Sequence, residues 1–148
     1  MTYNIDEYLE NRVQKQIDWY DKKSIDCQRK YKNFQIIEII IAAFIPLLSG
    51  YTTNNSIIAL IIGICGAVIA IIESITKLNK YHENWVQYRT TCELLRYQKQ
   101  LFITKSAPYN TAEETIENVF VRNIETIISS ENNKWKTVNT NDAKKSSN

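Results

Sequence analysis

Two stretches of the chain carry almost nothing polar. Ile57 to Ile72, IIALIIGICGAVIAII, runs for 16 residues without a charge, amide, hydroxyl or aromatic ring. Ile36 to Leu48, IIEIIIAAFIPLL, precedes it and is broken by one acid, Glu38. An amphipathic helix keeps one polar face, so a segment apolar all round belongs in a large core or in lipid. Sixteen residues at 1.5 Å each cover roughly 24 Å, against the ~30 Å of a bilayer's hydrocarbon. Extended to residues 55–75 and 34–51, the two segments reach the usual spanning length. They predict a transmembrane hairpin, TM1 (34–51) and TM2 (55–75). A hairpin buried in a soluble four-helix bundle is the alternative, and it predicts recovery without detergent.

The flanks have a different periodicity. Val13, Ile17, Tyr20, Ser24, Cys27, Tyr31 and Phe34 recur at alternating spacings of 4 and 3, and the seam continues to Glu38. This is the 3.5-residue repeat of helices packed side by side. No cap or breaker intervenes, so one helix is expected from a cytoplasmic segment (5–33) into TM1. Tyr81, Trp85, Tyr88, Cys92, Leu95, Lys99 and Phe102 repeat in the same way. With no proline between Ile57 and Phe102, TM2 is expected to continue unbroken through 76–105, a rod of roughly 70 Å. Pro108-Tyr109-Asn110 reads as a turn. Thr111-Ala112-Glu113-Glu114 then reads as a capping box, in which Thr111 and Glu114 satisfy each other's backbone amides. It opens an amphipathic helix (111–133) with Ile116, Phe120, Ile124, Ile127 and Ile128 on one side. The tail, 136–148, has almost no apolar content and is expected to be disordered.

Charge sharpens the membrane reading. All 18 Lys and Arg lie outside residues 34–76, seven before and eleven after, and the connecting loop has none. The positive-inside rule then puts both termini in the cytoplasm and the loop outside, in a cell (inner) membrane. A net charge of only +2 does not suggest a nucleic-acid partner. The basic run from Lys22 to Lys32 suits anionic lipid headgroups. Three widely spaced cysteines, Cys27, Cys65 and Cys92, fit neither a zinc pattern nor a disulfide framework. No cleavable signal peptide is expected from the polar, charged N-terminus.

Within the spans, polar and small residues are spaced like faces. Gln35, Glu38, Ala42, Pro46 and Ser49 recur at 3, 4, 4, 3 and predict a pore-facing or helix-facing stripe. Pro46 leaves the Ala42 carbonyl without its helical donor. Glu38 cannot face lipid freely; it is expected at a pore mouth, or at the interface pairing with Lys77. On TM2, Ala59, Gly63, Gly66 and Ala70, followed by Glu73 and Lys77, form a seam along which helix backbones can approach TM1 or another subunit. In a ring of subunits Glu38 and Glu73 would favour cations.

No Gly-rich phosphate loop, HExxH, GxSxG or CxxC occurs, and the single His82 has no second ligand at metal spacing. No enzymatic activity, metal or cofactor is expected.

Other residues carry a resemblance. Trp19-Tyr20-Asp21, Pro46, Tyr81-His82-Glu83-Asn84-Trp85, Tyr88-Arg89-Thr90-Thr91-Cys92-Glu93-Leu94-Leu95 and Glu131 to Trp135 (ENNKW) resemble a bacterial two-transmembrane-helix family of unknown function in the SLATT-like group. The resemblance implies a homo-oligomeric pore, an effector attached to bacterial conflict systems that sense nucleotides. It supplies no catalytic residue. Fused versions bring a sensor or enzymatic domain, which is not expected in this chain, so any trigger would have to bind the cytoplasmic helices or come from another protein. Read physically, Arg89 and Glu93 stand i, i+4 on one helix, and with Glu131 they could lock the cytoplasmic helices together.

The expected fold is therefore all-α: a two-helix transmembrane hairpin extended into a cytoplasmic helical bundle. The expected function is a homo-oligomeric, cation-preferring pore gated through the cytoplasmic helices. Its rival is a non-conducting membrane scaffold whose helical arms dock a cytosolic partner.

Overall fold

The computed structural model describes residues 4–52, 56–110 and 116–131. The capping box at Thr111–Glu114, the position of Trp135 and the tail predicted to be disordered lie outside them. The described residues are helical with short connections and no strand. Helix α1 is Ile5–Tyr8, with Asn4 as its N-cap accepting from the Asp6 amide at 3.0 Å. A π-helical segment, Leu9–Gln14, leads into α2, Lys15–Ser49. Helix α3 is Ser56–Asn79 and α4 is Tyr81–Ile103. A last helix, α5, spans residues 116–131.

The continuous rod expected from Ile57 to Phe102 is interrupted at Lys80. This residue sits at φ 49°, in the left-handed region, between α3 and α4. No glycine or proline marks the break; side-chain amides do. The Asn79 amide donates to the Ile75 carbonyl at 2.9 Å, and the Asn84 amide donates to the Asn79 carbonyl at 3.1 Å. Such side-chain bonds offer the backbone an alternative to its own ladder. Helix α4 restarts as the Asn84 amide N–H reaches the Lys80 carbonyl at 2.9 Å. At the other end of α4 the chain closes with a Schellman motif. Lys105, at φ 50°, donates to Phe102, and Ser106 donates back to Leu101 at 3.0 Å.

By its contacts the chain divides into two compact units, one from Met1–Lys22 and Gln87–Asn148, the other Lys23–Val86. The first has an ordinary core. Val13, Ile17 and Tyr20 of the N-terminal seam, Cys92 and Leu95 of α4, and Phe120, Ile124 and Ile128 of α5 are all buried. Tyr109, expected only as a turn residue, is fully buried in the same core. Its ring meets Phe102 and Phe120 edge-on, and its hydroxyl accepts from Asn123 at 2.9 Å and donates to Gln98.

The second unit is the helical hairpin and its base. At the base Phe34 stacks on Tyr81 at 6.0 Å, Tyr31 lies 5.0 Å from His82 and 6.4 Å from Trp85, and the Lys30 ammonium stands 5.7 Å over Tyr81. Beyond the base the two helices are long and apolar enough to cross a membrane, and none of the most apolar 18-residue stretch of either is buried. Ile39 and Leu60 are each 65% exposed, and Ile36, Phe44, Leu47, Ile64 and Ile71 are exposed as well. A hairpin forming the core of a soluble bundle would be covered; this one is bare around most of its circumference.

Candidate functional site

The polar residues of the hairpin are the first candidate. On α2 the less exposed, inward positions are Phe34, Gln35, Glu38, Ile41, Ile45 and Leu48; on α3 they are Ile58, Ile62, Cys65, Val68, Ile69, Ile72, Glu73 and Thr76. Apart from the adjacent pairs, both series step by 3 and 4, so the less exposed positions of each helix form one face. The predicted stripe on α2 therefore divides. Gln35 and Glu38 face inward, while Ala42, Pro46 and Ser49 are exposed. At 100° per residue each step of four advances about 40°, so two in a row carry Pro46 roughly 80° away from Glu38. The Ser49 hydroxyl donates to the Pro46 carbonyl at 2.8 Å.

Glu38 has an unusual environment. Its Oε2 accepts from the Gln35 amide at 3.2 Å, and its Oε1 is buried without a hydrogen-bond partner. The Glu38–Lys77 pair raised by the sequence does not form. Lys77 instead pairs with Glu73, 3.0 Å away and one turn back on its own helix. The local i, i+4 partner wins because it costs no reach across the hairpin.

The small residues of α3 also point elsewhere than at α2. Ala59, Gly63, Gly66 and Ala70 are all exposed, and a Cβ built on Gly63 or Gly66 would meet nothing within 4 Å. The stripe lies one residue, about 100°, around the helix from the inward Ile58–Ile62–Cys65–Ile69 series. Of the two partners considered for this seam, the first membrane helix is thus not the one it meets.

The second candidate lies in the other unit. The Tyr20 hydroxyl donates to Glu131 Oε2 at 2.9 Å, and Gln87 approaches the other oxygen at 3.5 Å; Tyr20 and Glu131 are both buried. Burial first, and then the bond to Glu131, holds the Tyr20 phenol well above its usual pKa, so it stays a donor. Trp19 meets Tyr20 at 4.9 Å and Tyr88 at 5.8 Å, both edge-on. Arg89 lies 2.6 Å from Glu93 and 3.3 Å from Asp21; Arg96 reaches the same two acids at 3.2 and 3.3 Å. Asp21, Arg89, Glu93 and Arg96 thus tie α2 to α4 in one network. The buried Cys92 beneath it, 3.6 Å from the Ile17 carbonyl, has its thiol pKa raised by burial, which makes it an inert core residue. Trp85 stands apart, with Tyr31 and His82 in the other unit.

Residues 15–117 match the family described as "Protein of unknown function (DUF4231)". The chain belongs to this family. No curated protein and no solved structure matches it. The family segment takes in α2, α3 and α4, and with them Glu38, Glu73, Lys77, Arg89 and Glu93. Glu131, to which Tyr20 donates, lies beyond it.

Among the described residues no group of His, Cys, Asp and Glu is arranged to hold a metal. Sequence reasoning missed Thr76, Gln87 and Arg96, and named Asp21 only within the Trp19-Tyr20-Asp21 motif. Thr76 was within reach, since it completes the 4, 3, 4, 3, 4 series from Ile58. The other three meet partners on other helices, and no local spacing announces that.

Proposed function

We propose that the chain is a two-span membrane protein that assembles with copies of itself into a cation-preferring pore, gated through its cytoplasmic helices. The observation that carries this reading is the outward face of the hairpin. Two helices of membrane-spanning length are bare, and on one of them the exposed surface includes a row of small residues with open space over the glycines. Bare aliphatic surface suits lipid tails, and small residues suit close approach by a second membrane helix. The cation-free stretch from 34 to 76 supports a topology with both termini inside. The exposed Ala42, Pro46 and Ser49 are candidates for the lumen. Glu73 is paired locally with Lys77, which leaves Glu38, whose Oε1 has no hydrogen-bond partner, as the candidate acid for cation preference. A trigger on the cytoplasmic helices would act on α2, which is unbroken from Lys15 to Ser49, and on a return path that is broken at Lys80.

The same features, with the residues quoted above, support placing this family in the SLATT-like group and assigning it a role as an effector in bacterial conflict systems. The role is non-catalytic. Purified protein in liposomes should pass alkali cations in preference to chloride, and Glu38→Gln should weaken that preference. Vesicles that stay tight under every trigger tried would reject the pore. One observation favours a scaffold instead: Leu94 and Tyr97 are exposed on α4, outside the hairpin. If a cytosolic protein is recovered in stoichiometric amount with the wild type and lost with Tyr97→Ala, while vesicles stay tight, the scaffold reading stands.

A further inference from the structure

Two oxygens inside the hairpin lack any hydrogen-bond partner: Glu38 Oε1 and Thr76 Oγ1, both buried. Thr76 is the one buried residue of α3, at 8% exposure. Three other hydroxyls of the hairpin behave differently. Ser49 donates to Pro46, Thr52 to Ser49 and Ser74 to Ala70, each at 2.7–2.8 Å. This back-bonding is the ordinary way a hydroxyl is satisfied on an apolar helix. Thr76 forgoes it. The two orphans flank the same ring contact: Phe34 stacks on Tyr81 at 6.0 Å, Glu38 lies four residues after Phe34 on α2, and Thr76 lies five residues before Tyr81 on α3.

We infer that Glu38 and Thr76 form a coordination point for an alkali-metal cation within the hairpin. A carboxylate and a hydroxyl are hard oxygen ligands of the kind such ions take. A single carboxylate balances a single positive charge, whereas a divalent ion would stay half compensated in a low-dielectric site. Lys77, the chain neighbour of Thr76, does not compete, because it is held by Glu73 at 3.0 Å. Gln35 donates to the other oxygen, Oε2, which leaves the lone pairs of the buried Oε1 free. The inference rests on the bilayer placement proposed above, and it moves Glu38 from a ring around a lumen to a site inside each hairpin.

The test uses the full chain in lipid nanodiscs. Its melting temperature is compared in lithium, sodium, potassium and N-methyl-glucamine chloride at matched ionic strength. An alkali cation at about 100 times its Kd should raise the melting temperature by roughly 5–11 °C over N-methyl-glucamine. Glu38→Gln and Thr76→Val should each abolish that increment, and Thr76→Ser should keep it. Equal melting in all four salts, as a bridging water would give, overturns the inference. An increment that survives in both Glu38→Gln and Thr76→Val also overturns it. Conduction without ion-specific stabilisation would sink this site and leave the pore; ion-specific stabilisation in tight vesicles would do the reverse.

Discussion

Replacing Tyr20 by Phe removes one oxygen and leaves the ring in place. The edge-on contact with Trp19 at 4.9 Å and the tilted contact with Tyr88 at 6.2 Å should survive. What is lost is the donor at 2.9 Å from Glu131 Oε2, in a site where both residues are buried. A hydrogen bond to a carboxylate contributes roughly 1.5–3 kcal/mol, and a buried acceptor stripped of its donor cannot recover this from water. The expected loss is about 2 kcal/mol, or roughly 4–8 °C in Tm for a chain of this size. Far-UV circular dichroism of detergent-solubilised protein would follow it. Alkali supplies a second signature. The folded Tyr20 pKa is raised above its unfolded value, so its stabilisation is complete below the unfolded pKa of about 10 and falls away as pH rises through the folded one. Wild type should lose stability above about pH 10 more steeply than Tyr20→Phe. Equal Tm values for the two proteins, with parallel alkaline profiles, would refute the assignment of Tyr20–Glu131 as the tie between α2 and α5.

Further outcomes follow from the same geometry. Lys105→Gly should raise stability by about 1 kcal/mol, because the C′ position of the Schellman motif holds a side chain in the left-handed region; a melt no higher than wild type would count against it. Gly63→Leu and Gly66→Leu should leave the helix content unchanged, since each new side chain enters open space. They should nevertheless lower the subunit number seen by native mass spectrometry, and an unchanged oligomer would remove the small-residue row from the interface. The Glu125 pKa is depressed first by its bond to Arg12 at 3.0 Å and then by Tyr8. Its contribution is therefore present above the ordinary carboxylate pKa and is lost as pH falls through the depressed one. Glu125→Gln should flatten the acid limb of a stability profile, modestly because the pair is half exposed; identical acid limbs would contradict this.

The helical fold and the two apolar rods were legible because both rest on local periodicity. Val13, Ile17 and Tyr20, and again Tyr88, Cys92 and Leu95, are buried where the 3.5-residue repeat placed them. The limits of periodicity are equally specific. The Ala59–Gly63–Gly66–Ala70 row is as regular as the Ile58–Ile62–Cys65–Ile69 row, and spacing alone does not say which one meets α2. Burial tells them apart: Ile58, Ile62, Cys65 and Ile69 are half-buried, and the small residues are exposed. The break at Lys80 was hidden because asparagine side chains make it without glycine or proline. Tyr109 was read from its neighbour Pro108 as turn chemistry, although a fully buried tyrosine with two hydroxyl partners anchors the turn to the core.

The account stands or falls on where the bare surface of α2 and α3 resides. Membranes from cells expressing the chain can be washed with alkaline carbonate and then floated on a density gradient. The protein should stay with the lipid after the wash and rise with it. Release into the supernatant, as a monodisperse species stable without detergent, would contradict the bilayer placement.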